Sequence, residues 1–357
     1  METKLLNGNN KEAIAEASKI LQDGGLVAFP TETVYGLGAD ALNADAAAKI
    51  YAAKGRPSDN PLIVHIADTD AVEKLADLET MNRTHPDMVK KAHMLMEAFW
   101  PGPLTIIFPK LAIVPDGTTG GLPTVAIRMP SHPIAQELIR TSGVSIAAPS
   151  ANTSGRPSPT TAQHVWEDMD GRIEMILDGG AVGIGIESTI VDMTGTIPTI
   201  LRPGFITKTM LSEIVGDVTI DPAIIEPDPN LRPKAPGMKY THYAPHGTLS
   251  IVEAVADESA NRASLHSGVK VSYNATEAET LRVAEKIKAL VNEKEAQGYK
   301  VAILTTKEHA SLYKNYSHVL IVGEGSKGQT ISARLYAALR ECDSEQMEYM
   351  YSEAFDQ

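Results

Sequence analysis

The sequence predicts an α/β or mixed α+β protein with a large sheet, followed by a second, smaller α/β domain. The chain has 357 residues, about twice the usual size of one domain, which favours two. Helical and strand patterns alternate in short steps over the first part of the chain. A stretch with six prolines, residues 221–248, then separates this part from a shorter alternating region.

The elements of the first region follow from the spacing of its apolar residues. Ile14, Ala17 and Leu21 recur at helical spacing, and the Gly24-Gly25 pair ends that helix. By the same criteria helices are predicted over 11–22, 44–54, 88–99, 133–140, 161–169 and 208–215. Short apolar runs predict strands over 26–29, 61–66, 104–108, 124–129, 145–148, 174–177, 188–192 and 199–201.

The proline-rich stretch is predicted to be an extended connector, because proline lacks a backbone donor and restricts φ. Beyond it, strands are predicted over 249–252, 301–304 and 319–322, and helices over 278–295 and 331–342. The predicted organisation is therefore a larger α/β domain over 1–216, a linker over 217–247, and a Rossmann-like domain over 248–357.

Charge and composition exclude several classes of function. The formal net charge of −13 argues against a broad basic face and against stable, non-specific binding of nucleic acids. The single cysteine, Cys342, excludes an intramolecular disulfide and a cysteine-cluster metal site. No apolar run approaches the roughly 20 residues that span a bilayer, and no signal-peptide pattern opens the chain. A cytoplasmic protein without a membrane segment is expected.

Three motifs resemble known sites but fail on their context. Residues 323–330 nearly match a phosphate-binding P-loop, but Gln329 occupies the lysine position, which favours a structural turn. Residues 179–185 resemble a dinucleotide fingerprint, but a strand follows, which favours a tight loop. His242 and His246 are four apart with a proline between them, which argues against a zinc-binding helix face. No metal site and no covalent serine are expected.

The remaining polar segments suit a small anionic ligand. Lys54 and Arg56 follow a predicted helix and can grip a polyphosphate, although cations there also complement the helix dipole. Arg128 ends an apolar strand and needs either a carboxylate partner or an anionic ligand. The small-residue loop over 147–160 suits adenine, ribose or phosphates, or is merely a loop. These alternatives stay open on local pattern alone.

Nine motifs in sequence order carry a resemblance to a known family. They are PTETVYGLG (30–38), AKGRP (53–57), NPLIVH (60–65), WPGPLT (100–105), VAIRMP (125–130), APSAN (148–152), IESTI (186–190), LRPG (201–204) and PGMKYTHYAP (236–245). The chain resembles the threonylcarbamoyl-AMP synthases, in the long form with a YrdC-like catalytic domain, a linker and an extra C-terminal domain. The resemblance spans nearly the whole chain and implies a large mixed twisted sheet with flanking helices.

The resemblance also implies the roles of individual residues. L-threonine would be bound by five of them: Thr33, His65, Arg128, the backbone of Ala148, and Ser188. ATP would be bound by seven: Arg56, Asn60, Thr124, Ser150, Ser158, Arg202 and Tyr243, the last from the linker. Lys54 is a further expected phosphate partner and, with Arg56, an expected catalytic residue.

The implied reaction joins L-threonine, bicarbonate or CO2, and ATP. The threonine amine would first give an N-carboxylate, which would attack the α-phosphate and expel pyrophosphate. Mg²⁺ is expected on the phosphates, held largely by substrate oxygens and water. The product would feed N6-threonylcarbamoyladenosine formation next to the anticodon of tRNAs, through a separate threonylcarbamoyl transferase. The linker is expected to close as a lid and to place Tyr243 at the nucleotide.

Two other functions remain open at this stage. One is a non-catalytic module that binds double-stranded RNA, against which the acidic charge weighs. The other is carbamoyl transfer from carbamoyl phosphate, as in hydrogenase-maturation proteins with a similar domain. Those proteins carry zinc-finger and acylphosphatase segments that this sequence is not expected to contain.

Overall fold

The computed structural model describes residues 1–225, 233–236, 244–253 and 276–355. The chain divides into two compact units, Met1–His242 and Tyr243–Gln357. This division lies inside the predicted linker, and each unit is described separately below.

The helices of the first unit begin and end at the residue types expected of caps. The side chains of Asn10 and Asn43 accept backbone N–H groups at the starts of α1 and α2, and Gly55 and Gly143 end α2 and α6 in the left-handed region. The helices are α1 Lys11–Gln22, α2 Ala44–Lys54, α3 Leu78–Thr84, α4 Pro86–Phe99, α5 Asp116–Thr119, α6 Pro133–Ser142, α7 Ala162–Met169, α8 Lys208–Val215 and α9 Pro222–Ile225, with a 3₁₀ turn at Thr69–Ala71.

Within the described residues of this unit, eleven strands form one mixed sheet in the order β1-β8-β2-β3-β7-β4-β6-β5-β9-β10-β11. They are β1 Lys4–Asn7, β2 Val27–Phe29, β3 Gly36–Asp40, β4 Ile63–His65, β5 Leu104–Pro109, β6 Thr124–Arg128, β7 Ile146–Ala148, β8 Met175–Asp178, β9 Thr189–Asp192, β10 Thr199–Arg202 and β11 Thr219–Ile220. Parallel pairs such as β4/β6 stand beside antiparallel pairs such as β5/β6. The predicted fold class is confirmed.

Strand β3 was not predicted, because Gly36 and Gly38 leave its segment without a clear apolar pattern. It pairs antiparallel with β2, from Val27 opposite Gly38 to Phe29 opposite Gly36. A Cβ on Gly38 would lie 2.6 Å from Cγ2 of Ile146 and 2.7 Å from Cε1 of Phe29. The glycine therefore marks a close approach inside the sheet. The short elements β1, α3, α5, β11 and α9 were also absent from the prediction.

The two faces of the large sheet are covered differently. Helices α2, α4, α7 and α8 cover one face and contribute to its core cluster. On the opposite face, α1 and α6 pack over part of the sheet. A separate patch on that face is closed by Ala235 from the proline-rich arm, which is 0% exposed. Ala235 packs against Ile63, Ile107, Ala126, Ile190 and Leu201.

The second unit has a four-stranded sheet in the order β12-β15-β13-β14, with parallel pairing throughout its described strands. Helix α10 begins with a capping box formed by Thr276 and Glu279. Its elements are β12 Thr248–Val252, α10 Glu277–Ala296, β13 Val301–Thr306, a 3₁₀ turn Ala310–Tyr313, β14 Val319–Gly323, α11 Gly328–Ser344 and β15 Tyr349–Glu353. The expected Rossmann-like α/β arrangement is confirmed, and β15 is the strand that was not predicted.

The two segments that resemble a P-loop and a dinucleotide fingerprint are connections between secondary-structure elements. Residues 323–330 connect β14 to α11, with Gln329 in the first turn of that helix. Residues 179–185 form a loop, as predicted. His242 lies outside the described residues. In the part of the chain that the structure describes, no helix is long and apolar enough to cross a membrane.

Candidate active site

A row of polar side chains lies beside the patch that Ala235 closes. His65, Arg128 and Thr105 are register partners on the neighbouring strands β4, β6 and β5. Each lies two residues along its strand from an apolar member of that patch. Because side chains alternate between faces along a strand, the polar row and the patch share one face. The three polar residues are each at most 4% exposed.

Arg128 is the centre of this row. Its Nη1 donates to Oγ1 of Thr33 at 3.0 Å, its Nη2 to Oε1 of Glu32 at 2.6 Å, and its Nε to the carbonyl oxygen of Gly102 at 3.3 Å. Thr33 is therefore brought to Arg128, as the family resemblance implies. These contacts use three of the five N–H groups of the guanidinium.

Glu32 is a buried carboxylate in the same pocket. Burial alone would raise the pKa of Glu32, but the charge and hydrogen bond of Arg128, together with the backbone N–H of Ser131, hold it below the usual value. The Ser131 N–H donates to Oε2 at 3.0 Å, so both carboxylate oxygens have partners. Glu32 is ionised at neutral pH and compensates the charge of Arg128.

His65 lies next to Arg128 as a neutral imidazole. Burial lowers the pKa of His65 to about 3, and the charge of Arg128 acts in the same direction. Nδ1 lies 3.1 Å from the carbonyl oxygen of Ile63, and a carbonyl only accepts. The ring proton therefore belongs on Nδ1, which makes Nε2 the acceptor. The ring also meets Phe29 edge-on, with centroids 6.1 Å apart.

The neutral state of His65 predicts a pH dependence of stability. The folded pKa of His65, about 3, lies below the unfolded value of about 6.5. Neutral His65 therefore makes its full contribution to the free energy of unfolding above pH 6.5, and this contribution is lost as the pH falls below 6.5. From pH 7 to pH 5 we expect His65 to account for about 2 kcal/mol of lost unfolding free energy. His65→Gln should remove this part of the pH dependence, as measured by urea titrations of the free energy of unfolding at pH 7 and pH 5. The exposed His93 provides the control: if His93→Gln flattens the dependence equally, the assignment to His65 is wrong.

Ser188 and Arg202 are also brought together, and Thr105 contacts the same serine hydroxyl. Oγ of Ser188 lies 2.7 Å from Oγ1 of Thr105, and Nη2 of Arg202 donates to the same Ser188 oxygen at 3.1 Å. Arg202 also donates to the backbone carbonyl of Ser188 from Nε and Nη2, at 3.1 and 2.9 Å. Thr105 faces Arg128 across the strand pair. One polar network thus runs from an expected threonine residue to an expected ATP residue.

The loop after β7 is laid against β3 and the helix α2. Ala151 N donates to the carbonyl of Tyr35 at 2.8 Å, and Tyr35 N donates to the carbonyl of Pro159 at 2.9 Å. Ala148, at the end of β7, is buried on the α1/α6 side of the sheet. This backbone pairing places Ser150 and Ser158 on a loop that begins beside the polar row.

Lys54 holds this loop in place. It is 1% exposed, and its Nζ donates to the carbonyl of Ser150 at 2.6 Å, to the carbonyl of Asn152, and to Oδ1 of Asn152 at 3.3 Å. The sequence suggested an exposed cation available to phosphate. In the described contacts its ammonium points into the loop. The contact of Lys54 with phosphate stays a prediction, and these contacts argue against it.

Arg56 and Asn60 form a turn before β4. Arg56 donates from Nε to the carbonyl of Asn60 at 3.3 Å and from Nη2 to the carbonyl of Pro61 at 3.0 Å. Asn60 is 1% exposed, yet neither Oδ1 nor Nδ2 makes a hydrogen bond with any described residue. A buried amide without partners costs free energy, so its two polar atoms suit a ligand. Thr124 lies at the start of β6 and is half-buried.

The other expected ATP residues lie around the loop. Ser150 donates to Oδ1 of Asn152 at 2.6 Å. Ser158 is fully buried and donates to Oε1 of Glu187 at 2.5 Å. Glu187 immediately precedes Ser188, so this contact ties the loop to the threonine side of the network. Tyr243, the expected ATP residue of the linker, lies outside the described residues.

Three residues of this network were not singled out from the sequence: Glu32, Thr105 and Glu187. Each lies inside a motif that was recognised, directly beside a residue that was assigned or at the motif's end. A buried strand-end arginine requires a carboxylate partner, and this rule could have pointed to Glu32. Nothing in local pattern distinguishes Thr105 from an ordinary strand threonine.

Comparison with known families places both parts of the chain. The Sua5_yciO_yrdC family model, described as telomere recombination, matches residues 19–204. The Sua5_C model, described as the C-terminal domain of threonylcarbamoyl-AMP synthase, matches residues 206–357.

Individual relatives agree over nearly the full length. The chain is 45% identical to the threonylcarbamoyl-AMP synthase of Bacillus subtilis, covering 97% of this chain and 89% of the relative. It is 40% identical to the threonylcarbamoyl-AMP synthase of Pyrococcus abyssi, covering 98% and 92%. A crystal structure of Pyrococcus abyssi Sua5 complexed with L-threonine matches with a TM-score of 0.83 and 39% identity, covering 100% of this chain and 93% of that one.

Proposed function

This chain belongs to the threonylcarbamoyl-AMP synthases, and we propose that its first unit joins L-threonine, ATP and a CO2 unit from bicarbonate. The products are threonylcarbamoyl-AMP, pyrophosphate and the water that is released when bicarbonate gives the N-carboxylate. The single observation that carries the substrate assignment is the row of polar side chains on β4, β6 and β5, in which Arg128 is bonded to Thr33 and, on the neighbouring strand, Thr105 is bonded to Ser188, which in turn accepts from Arg202. The curated relatives named above are synthases, which favours the enzyme over a non-catalytic RNA-binding module.

The polar row suits the groups of L-threonine. Two N–H groups of Arg128 remain after its three protein contacts, and together they can receive a carboxylate with charge-assisted hydrogen bonds. The acceptor nitrogen of His65 and the hydroxyls of Thr33 and Ser188 suit the substrate hydroxyl and amine. The binding of L-threonine by the Pyrococcus abyssi relative supports this pocket.

The nucleotide side is supported by the turn and the loop that flank the row. The unpartnered amide of Asn60 suits hydrogen bonds to ribose or phosphate. Arg56, in the turn before β4, and Arg202, at the end of β10, are the cations that we assign to the phosphate charge. Thr124, Ser150 and Ser158 supply hydroxyls nearby.

This chemistry depends on positioning and charge neutralisation rather than on a protein nucleophile. The carbamate oxygen of the N-carboxylated threonine attacks the α-phosphorus, and the bond to the pyrophosphate oxygen breaks. Among the described residues, no group of three or more His, Cys, Asp and Glu side chains could hold a metal ion. We therefore assign Mg²⁺ to the triphosphate and water, with the protein acting through Arg56 and Arg202.

The described part of the proline-rich arm, residues 233–236, packs on the sheet beside the polar row. Pro233, Ala235 and Pro236 are buried, and Ala235 packs on the patch beside the polar row. Asp221 pairs with Lys234 at 3.2 Å. The anchoring of residues 233–236 supports the proposal that this arm acts as a lid and limits hydrolysis of the carbamate and the mixed anhydride.

The product is a mixed anhydride, which a transferase would consume when it modifies tRNA. We propose that this chain hands the product to such an enzyme and contacts tRNA at most weakly or indirectly, because its net charge of −13 opposes a phosphate-tracking surface.

The decisive experiment measures pyrophosphate release with ATP, Mg²⁺, bicarbonate and each amino acid in turn. We expect release with L-threonine and a loss of release when bicarbonate is removed. A protein that releases pyrophosphate without an amino acid, or with a different one, would disprove the proposal. In a second arm, Ala235→Glu should slow release by disrupting the anchored arm, whereas the exposed Lys234→Ala should have a smaller effect.

A further inference from the structure

Glu32 is a polar group of the pocket to which neither the family resemblance nor the reaction assigns a task. It is a carboxylate whose side chain is 13% exposed, inside a site proposed to bind an amino acid and a triphosphate, both anionic. A carboxylate there repels its ligands unless it is compensated. Its presence therefore needs a physical explanation.

The contacts of Glu32 supply one. Oε1 accepts from Nη2 of Arg128 at 2.6 Å and Oε2 accepts from the backbone N–H of Ser131 at 3.0 Å. Its backbone carbonyl accepts from Ile184 N at 2.9 Å. Hydrogen bonds thus hold both the side chain and the backbone of Glu32. Its carboxylate therefore has a fixed position and can orient the guanidinium of Arg128.

Thr33 and Gly102 complete the arrangement by engaging Nη1 and Nε of Arg128. One N–H on each terminal nitrogen remains after these contacts. A guanidinium held at three points keeps its plane and leaves a defined pair of donors, which lowers the entropic cost of binding a carboxylate.

We propose that Glu32 is a positioning residue for substrate recognition: it orients Arg128 so that the two remaining N–H groups receive the α-carboxylate of L-threonine. Glu32 itself does not touch the substrate. Its low pKa keeps it ionised and makes it a poor general base, so a role in removing the proton of the threonine amine is not expected. The inference rests on the proposed function, since it requires the amino-acid pocket.

The nearest carboxylate-bearing alternatives do not offer this geometry. Glu187 accepts a hydrogen bond from Ser158, which is an expected ATP residue. Asp178 accepts from Gly180 N at 2.8 Å and lies near the hydroxyl of Tyr35 at 3.5 Å. Neither has a described contact with Arg128, so Glu32 is the carboxylate that determines the orientation of this guanidinium within the described residues.

The test compares L-threonine with L-threoninol, which keeps the amine and the hydroxyl but lacks the carboxylate. Binding of each to the full chain is measured by calorimetry without ATP, so that it does not depend on turnover. For Glu32→Gln, which keeps the size of the side chain, we expect threonine binding to weaken about tenfold. Threoninol binding should change less than twofold, because it makes no carboxylate contact.

The kinetic readout runs in parallel. In Glu32→Gln the KM for threonine should rise about tenfold while the KM for ATP stays within about twofold. Glu73→Gln, an exposed carboxylate away from the site, is the matched control and should change neither value. If Glu32→Gln does not fold, Glu32→Asp, which keeps the charge but shortens its reach, is judged by the same ratios.

Equal weakening of threonine and threoninol would overturn the proposal, because it would place Glu32 in direct contact with the amine or in a general structural role. Unchanged threonine binding would overturn it as well. A chain with native residues that binds threonine but releases no pyrophosphate would contradict the proposed function and leave the binding comparison intact.

Discussion

Arg128→Ala is expected to weaken threonine capture about ten- to a hundredfold, because it removes a charge-assisted contact worth roughly 1.5–3 kcal/mol. It is also expected to destabilise the fold. The pair with Glu32 is buried, with side chains 5% and 13% exposed. Removing one partner of such a pair typically costs about 3–5 kcal/mol, because the other charge is left buried and uncompensated.

The two effects are separated by adding Glu32→Ala to Arg128→Ala. The double variant removes the uncompensated charge, so it should regain much of the unfolding free energy in urea titrations. Its threonine affinity should stay low, because the guanidinium is still absent. Unchanged threonine dependence in Arg128→Ala would count directly against the assigned role. A double variant no more stable than Arg128→Ala would count against the charge argument.

Lys54→Met should be the second variant with a large effect, because the carbonyl oxygens of Ser150 and Asn152 lose their ammonium donor, whereas Oδ1 of Asn152 keeps the hydroxyl of Ser150 as a donor. Buried acceptors that lose a partner cost about 1–3 kcal/mol each, and partial relaxation makes a total loss of about 3 kcal/mol reasonable. The released loop carries Ser150 and Ser158. We therefore expect the KM for ATP to rise more than the KM for threonine.

Lys49 provides a matched control on the same helix. Its Nζ donates to the carbonyl of Gly24 at 2.6 Å, away from the loop, so Lys49→Met should cost no more than about 1 kcal/mol and leave both KM values unchanged. Urea unfolding and the two KM values are measured for both variants. If Lys54→Met proved as stable as Lys49→Met yet lost activity, Lys54 would act on phosphate directly, as the sequence first suggested.

The long periodic elements could be predicted from the sequence because their cause is local. Helix α1 follows from the spacing of Ile14, Ala17 and Leu21, and its observed bounds, Lys11–Gln22, equal the predicted ones. Strand β3 could not be predicted in this way. Its glycines have no side-chain pattern, and Gly38 is required by Phe29 and Ile146 from other strands. Strand β15 depends similarly on parallel partners, β12 and β13, that are distant in the chain.

In the candidate site, too, some features could be predicted from the sequence and others depend on tertiary contacts. Motif resemblance predicts ligand-binding roles for Thr33, His65, Arg128, Ser188 and Arg202, because the side chain of each suits its expected ligand. It could not show that Glu32 holds Arg128, that Thr105 joins Ser188 into one network, or that Lys54 points into a loop. These relations are contacts between residues about 80 to 100 positions apart.

The sequence by itself determined which residue types are available, where helices and strands with local periodicity lie, and the family to which the chain belongs. Only the tertiary structure decided which charges compensate one another and which donors remain for a substrate. The physical reason is that burial and pairing depend on segments brought side by side. Strands β4 and β6 place His65 beside Arg128, which favours the neutral imidazole, and the segment before β3 brings Glu32 to Arg128, which keeps that carboxylate ionised and leaves two donors on the guanidinium.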